Sequence, residues 1–304
     1  MIDRIAGSML SESTLSDINS SLSKMQRTSE ELSSGKSILE PSDNPYGASR
    51  AIELQSQLDG LSSYTTSVND GISWTEAAGG ALSNINEALQ RVRELLVAAG
   101  NGTNSQADLS NMATEITQLT EGIKQDANTQ YAGQYVFSGT LTTTPPYASG
   151  ENDEYAGNYG TVARSIGPGA TVAVNTELGS VLGSGTGAAD GKTLDVLRTI
   201  VKHLTEGTAE GRAALTSTDL KALSANIEGL AQLQASNGSA TDQLHTAAAR
   251  IESLQSSITG ALSNTEDTDI AQATIAYSTQ QAAYQAALHA TSTIIQESLL
   301  NFLK

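Results

Sequence analysis

Leu15-Ser16-Asp17-Ile18-Asn19-Ser20-Ser21-Leu22-Ser23-Lys24-Met25-Gln26-Arg27-Thr28-Ser29-Glu30-Glu31-Leu32 is the stretch on which the fold turns. Leu15, Ile18, Leu22, Met25, Ser29 and Leu32 step by 3, 4, 3, 4 and 3 residues. That spacing makes an amphipathic helix with a narrow apolar seam. Ile2, Ile5 and Met9 form a shorter stripe, one position out of phase. The pattern stops at Ser34-Gly35-Lys36, where Gly35 can take the left-handed geometry that ends helices.

The loop beyond contains Pro41-Ser42-Asp43-Asn44-Pro45. Asn44 is a natural N-cap, and Pro45 suits the first helical position, where a missing N–H costs nothing. A long helix is expected behind it, with Leu54, Leu58, Leu61, Thr65, Val68, Ile72, Thr75, Gly79, Leu82, Asn86 and Leu89 in one row. A second row, Ile85, Leu89, Val92 and Leu96, shows the drift of an ordinary 3.6-residue helix. Gly100-Asn101-Gly102-Thr103 breaks it, and Leu109 to Ile123 make the next helix.

From Tyr135 to about Gly191 the helical period vanishes. Tyr135-Val136-Phe137-Ser138-Gly139 and Thr161-Val162-Ala163-Arg164 read as short strands among glycine and proline turns. Helices return at Leu194–Leu204, Leu220–Leu233 and Leu244–Leu262, the last two split at Asn237-Gly238. Thr265-Glu266-Asp267-Thr268 caps a final helix in which Ile270, Tyr277, Tyr284 and Thr291 fall seven apart, with Ile294, Ile295, Leu299, Leu300, Phe302 and Leu303 beyond. The chain is thus expected to be mainly α with a small β-rich insert. Residues 1–44 and 266–304 pair as a terminal coiled coil, 45–134 and 192–265 form a helical body, and 135–191 form the insert.

Composition narrows the function. Lys and Arg number 16 against 33 Asp and Glu, a net charge of −17. Nucleic acids and anionic membranes demand the opposite sign. Aromatic residues are only 4% of the chain, few for one thick globular core. With no cysteine, thiolate chemistry and Cys-based metal sites are excluded. Met1-Ile2-Asp3-Arg4 lacks the basic and apolar regions of a signal peptide, and no apolar run approaches the ~20 residues of a membrane span.

Catalytic patterns are missing too. His203, His245 and His289 are not spaced as metal ligands and read as solvated helix-face residues. Glu266, Asp267 and Asp269 cluster at a helix start, where carboxylates cap amides. Gly183 to Thr193 ends in Gly-Lys-Thr, but Thr186 stands where a phosphate loop needs glycine. No Gly-x-Ser-x-Gly occurs beside a histidine partner. Asn101-Gly102-Thr103 and Asn237-Gly238-Ser239 fit the glycosylation pattern, and an Asn-Gly turn explains each without a glycan. No catalytic residue, cofactor site or metal site is expected.

The terminal stripes are padded with Ala, Ser, Thr and Gln, so each helix is marginal alone. Both are expected to order only when neighbouring molecules cover them. The candidate assembly interface is therefore Ile2, Ile5, Met9, Leu15, Ile18, Leu22, Met25, Leu32, Ile270, Tyr277, Tyr284, Ile294, Ile295, Leu299, Leu300, Phe302 and Leu303.

Ser33-Ser34-Gly35-Lys36 with Pro41-Ser42-Asp43-Asn44-Pro45 resembles the N-terminal motif of the flagellin superfamily. The Pro-Ser-Asp-Asn-Pro form is similar to its hook–filament junction branch. Arg91-Val92-Arg93-Glu94-Leu95, Ala98 to Thr103, Ala127-Asn128-Thr129, Gly133 to Gly139 and Thr144-Pro145-Pro146-Tyr147 support the resemblance, as does the Leu-Leu-x-Phe-Leu ending. It marks Gly35, Lys36, Pro41, Ser42, Asp43, Asn44 and Pro45 as the family's motif loop. It also implies a structural protein, exported to the flagellum and seated at the hook–filament junction. The terminal helices would line an inner tube, the middle helices would form a rod, and the insert would face outward. The implied partners are a FlgK-like first junction protein, flagellin, a FlgN-like export chaperone and further copies of the chain in a ring. Flagellin itself is the near alternative. A soluble coiled-coil signalling protein would have a strict heptad hairpin without the insert, and an enzymatic insert would need a cluster such as His-Glu-x-x-His.

Overall fold

The computed structural model describes the backbone of residues 2–101, 104–185 and 188–302, and side chains within those ranges at Met9 and from 12 to 292. The elements run α1 (Ile2–Ser34), α2 (Pro45–Ala99), α3 (Gln106–Ala127), β1 (Gln130–Tyr131), β2 (Gln134–Tyr135), β3 (Ala163–Gly167), β4 (Ala170–Ala173), α4 (Gly179–Leu182), α5 (Thr193–Glu206), α6 (Ala209–Ala214), a π-turn (Leu215–Asp219), α7 (Leu220–Glu266) and α8 (Ile270–Phe302). The fold is mainly α, with two small antiparallel hairpins, β1–β2 and β3–β4. It divides into two compact units: 1–60 with 254–304, and 61–253.

In the unit of 61–253, the row read from α2 is buried: Val68, Leu82, Ile85, Leu89, Val92 and Leu96. Leu109, Ile116 and Ile123 of α3, Leu197 and Ile200 of α5, and Leu223, Leu230 and Leu244 of α7 close over it. Val136, Phe137, Tyr147, Val174 and Leu178 join the same cluster, so the insert is cored by the helices rather than by itself. Trp74 anchors both hairpins to α2. Tyr131 meets its ring edge-on at 6.2 Å, and the Arg164 guanidinium lies 5.5 Å from its centre while pairing with Asp70 at 2.6 Å.

Several sequence expectations change here. α7 runs unbroken through Asn237-Gly238, because Asn237 is buried and spends its amide on tertiary bonds. Its Nδ2 donates to the Thr75 carbonyl at 2.8 Å, and its Oδ1 accepts from Thr176 at 3.3 Å. An asparagine so placed makes neither a turn nor a glycan acceptor. Of Tyr135–Gly139, only Tyr135 is strand. Ala132 and Gly133, with φ of 49° and 78°, make the tight turn to β2, and Val136 and Phe137 then plunge into the core. β3 starts at Ala163 rather than Thr161. His203 is not a free helix-face residue: its Nδ1 lies 2.7 Å from Asp219 in the π-turn.

Candidate assembly site

The motif loop is a clasp that joins the two ends of the chain within the unit of 1–60 and 254–304. Gly35 ends α1 in the left-handed region, φ +71°, and its N–H donates to the Glu31 carbonyl at 2.9 Å. That turn aims the next residues across to the start of α8. Ser37 N donates to the Glu266 carbonyl at 2.6 Å, and Thr268 N returns a bond to the Gly35 carbonyl at 2.9 Å. Lys36 and Asp267 pair as an antiparallel bridge, and Lys36 Nζ lies 2.8 Å from the Glu266 carboxylate.

Pro41-Ser42-Asp43-Asn44-Pro45 braces the clasp from below. Asp43 accepts from the N–H groups of Glu40 at 3.0 Å and Leu39 at 3.1 Å, and pairs with Arg27 at 2.8 Å. The Glu40 N–H, the Leu39 N–H and the Arg27 charge hold its carboxyl below the usual carboxylate range against the opposing effect of burial. Asn44 caps α2 as expected, its Oδ1 accepting from Gly47 N at 2.9 Å. Asp269 Oδ1 caps α8 through Ala271 N and Gln272 N. Pro41, Ser42, Asn44 and Pro45 are solvent-exposed.

From the clasp, α1 and α8 pack side by side and antiparallel. The less exposed positions form one row of Thr14, Ile18, Ser21, Met25, Thr28 and Leu32 on α1, with Leu22 and Glu31 beside it, and one of Ala273, Tyr277, Gln280, Tyr284, Ala287 and Thr291 on α8, with Ala276 beside it. Both rows step by 4, 3, 4, 3 and 4, a coiled-coil seam. Thr28 is buried, and its hydroxyl lies 3.0 Å from both the Lys24 carbonyl and Gln280 Oε1. The row legible in the sequence takes in Ser29, which the structure leaves exposed, and misses Thr28, because a step of three or of four from Met25 satisfies the spacing equally and only packing chooses between them; Gln280 escapes because the row of the final helix follows its apolar and aromatic residues.

Of the expected interface residues, Ile18, Leu22, Met25, Leu32, Tyr277 and Tyr284 are half-buried. Met9, Leu15 and Ile270 stay 65%, 54% and 52% exposed. The side chains of Ile2, Ile5, Ile294, Ile295, Leu299, Leu300 and Phe302, and all of Leu303, lie outside the described residues. Tyr46, Ile52, Leu254, Ile275 and Leu288 add exposed apolar surface to the same unit. Among the described residues of the other unit, only Val97, Leu141 and Tyr159 are large, apolar and exposed. Also among the described residues, no group of His, Cys, Asp and Glu is placed to hold a metal ion, and no helix is long and apolar enough to cross a membrane.

Comparison with known proteins bears on this arrangement. The family model of the bacterial flagellin N-terminal helical region matches residues 5–142, and that of the C-terminal helical region matches 207–303. A phase 1 flagellin of Salmonella naestved is 42% identical over 130 residues, which are 42% of this chain and 26% of that protein. The chain therefore spans about a quarter of the length of the curated flagellins it matches. A Vibrio parahaemolyticus chain, solved as a candidate flagellar hook-associated protein, superposes with a TM-score of 0.66 at 18% identity, over 74% of this chain and 100% of its own. The flagellar junction protein FlgL of Legionella pneumophila superposes with a TM-score of 0.58 at 15% identity, over 73% of this chain and 100% of its own. At such identities the likeness is one of fold. The two matched regions contain the helices that the clasp brings together, and this chain belongs to the flagellin superfamily.

Proposed function

We propose that this chain is a structural axial protein of the bacterial flagellum that joins hook to filament and presents a surface on which flagellin assembles. The observation that carries the reading is where the exposed apolar side chains lie. Among the described residues, most of them sit on the unit built from the two chain ends, beside a seam too polar to be self-sufficient. Burying such surface contributes about 25 cal/mol per Å² removed from water, and sister molecules and flanking axial proteins would supply the cover. The reading also draws on the shared fold with the two solved chains, one of them a flagellar junction protein, each of which is covered in full. The proposed partners are a FlgK-like first junction protein, flagellin, a FlgN-like export chaperone and further copies in a ring. The proposed place is the hook–filament junction, reached by export.

Deleting residues 299–304 tests the reading. The expected result is a soluble, folded monomer that cannot complete the junction. Full filaments on hooks carrying the truncated protein would refute it. The second reading, a filament subunit, draws on the 42% identity to flagellin over the N-terminal region. Growth of long filaments from the purified chain alone would favour that reading, and short or no polymers would favour the junction.

A further inference from the structure

Lys124 stands on α3 with its side chain only 2% exposed. Its ammonium donates to the Gly150 carbonyl at 2.6 Å, the Asn152 carbonyl at 3.0 Å and Asp153 Oδ1 at 2.9 Å. Glu121 Oε1 lies 3.6 Å away. Three N–H donors meet three oxygens, so the ammonium has its full complement of bonds. The three oxygens belong to one short irregular segment. Gly150, at φ +89°, turns its carbonyl inward, a backbone state that L side chains rarely adopt.

Arg198 of α5 completes the cluster. It bonds Asp153 Oδ2 through Nε at 2.9 Å, and reaches Asp153 Oδ1, the Gly150 carbonyl and Glu121 through Nη2 at 3.0, 3.1 and 3.1 Å. Asp153 is itself buried. Two carboxylates therefore face two cations. A loop whose carbonyls and carboxylate converge on one positive centre has the organisation of a cation-binding loop, but here the cation is covalently attached to the neighbouring helix.

We propose that residues 150–153 are a cation-organised loop whose resident cation is the Lys124 ammonium, and that the same oxygens accept a small primary ammonium from solution once that side chain is shortened. Removing the lysine charge leaves one carboxylate uncompensated, which selects a monovalent over a divalent cation. The directed carbonyls select an N–H donor over a spherical alkali ion. Lys124 is thus a positioning residue: it ties the insert to α3, as Arg198 ties it to α5. This assignment stands apart from the flagellar reading and survives its failure.

Lys124→Ala opens the space, and Lys124→Met fills it without charge. Both are expected to lower the thermal midpoint by roughly 10 °C, the effect of leaving a buried carboxylate cluster short of a cation. Propylammonium chloride at ~100 mM should restore at least half of that loss in Lys124→Ala and none in Lys124→Met, relative to equimolar sodium or potassium chloride. Should Lys124→Ala fail to fold unaided, its refolding yield with and without propylammonium gives the same reading. In the native chain, the Lys124 ¹⁵Nζ resonance should be visible at neutral pH, with hydrogens that exchange slowly. The proposal is overturned if Lys124→Met is as stable as the native chain, if alkali salt rescues as well as the amine, if the amine rescues neither variant, or if the native Nζ signal is lost to fast exchange.

Discussion

Replacing Gly35 with alanine probes the clasp at its turning point. No atom lies within 4 Å of where the added methyl would sit, so sterics with neighbours contribute nothing. The whole cost comes from the backbone, which holds φ at +71°. An L-residue there costs about 1–2 kcal/mol, a factor of roughly 5–30 in a local opening equilibrium. The amides to watch are Ser37 N and Thr268 N, which donate across the clasp at 2.6 and 2.9 Å. Native-state hydrogen exchange should show both exchanging roughly 5–30 times faster in Gly35→Ala. Amides of Ile123 and Leu197, buried in the other unit, should be unchanged. Gly35→Asn should fall between native and alanine, because asparagine visits the left-handed region more readily. If alanine leaves Ser37 and Thr268 at their native rates, or accelerates both units equally, the clasp does not hold the ends as argued.

Four further outcomes are expected. Asp153→Asn leaves Lys124 and Arg198 facing a neutral amide and should cost about 3 kcal/mol or more, read from urea unfolding with Trp74, the one tryptophan, as reporter. Burial pushes the Asp153 carboxyl up, but bonds from Arg198 and Lys124 outweigh it and hold the group below its ordinary value. Its contribution is therefore complete above the unfolded carboxylate pKa of ~3.9 and disappears as pH falls through the lower folded value. The native chain should lose urea resistance below about pH 4 more steeply than the variant. Asn237→Ala removes the bond to Thr75 and strands the buried Thr176 hydroxyl, a loss of about 2–3 kcal/mol measurable in the same assay. Gly122→Ala lies inside α3 with open space at the new methyl and should stabilise by about 0.5–1 kcal/mol, seen as a rise of a few degrees in the thermal midpoint.

Helices α1, α2, α3, α5 and α8, and the stop of α1 and start of α2, were legible in the sequence, because they depend on local chemistry. The 3–4 spacing of Leu82, Ile85, Leu89 and Val92 declares a buried face whatever lies opposite. Gly35 and Asn44 act through their own backbone and nearest amides. The clasp was only half legible. Its residues stood out as a motif, but the bond from Ser37 to Glu266 spans more than two hundred positions, and no local pattern encodes that partner.

What the sequence determined by itself was the class of molecule: acidic, cysteine-free, helical at both ends and interrupted once. Tertiary structure decided everything that rests on a polar group choosing a distant partner. Asn237 reads as a turn until Thr75 and Thr176 receive its amide, and α7 then continues through it. Nothing in the sequence singles out Lys124, whose role exists only once the carbonyls of Gly150 and Asn152 close around it. Thr28 reads as padding until Gln280 meets it in the seam. Apolar burial is non-directional and leaves a periodic signature in the chain. A hydrogen bond is directional and pairwise, so its partner is known only once the chain has folded.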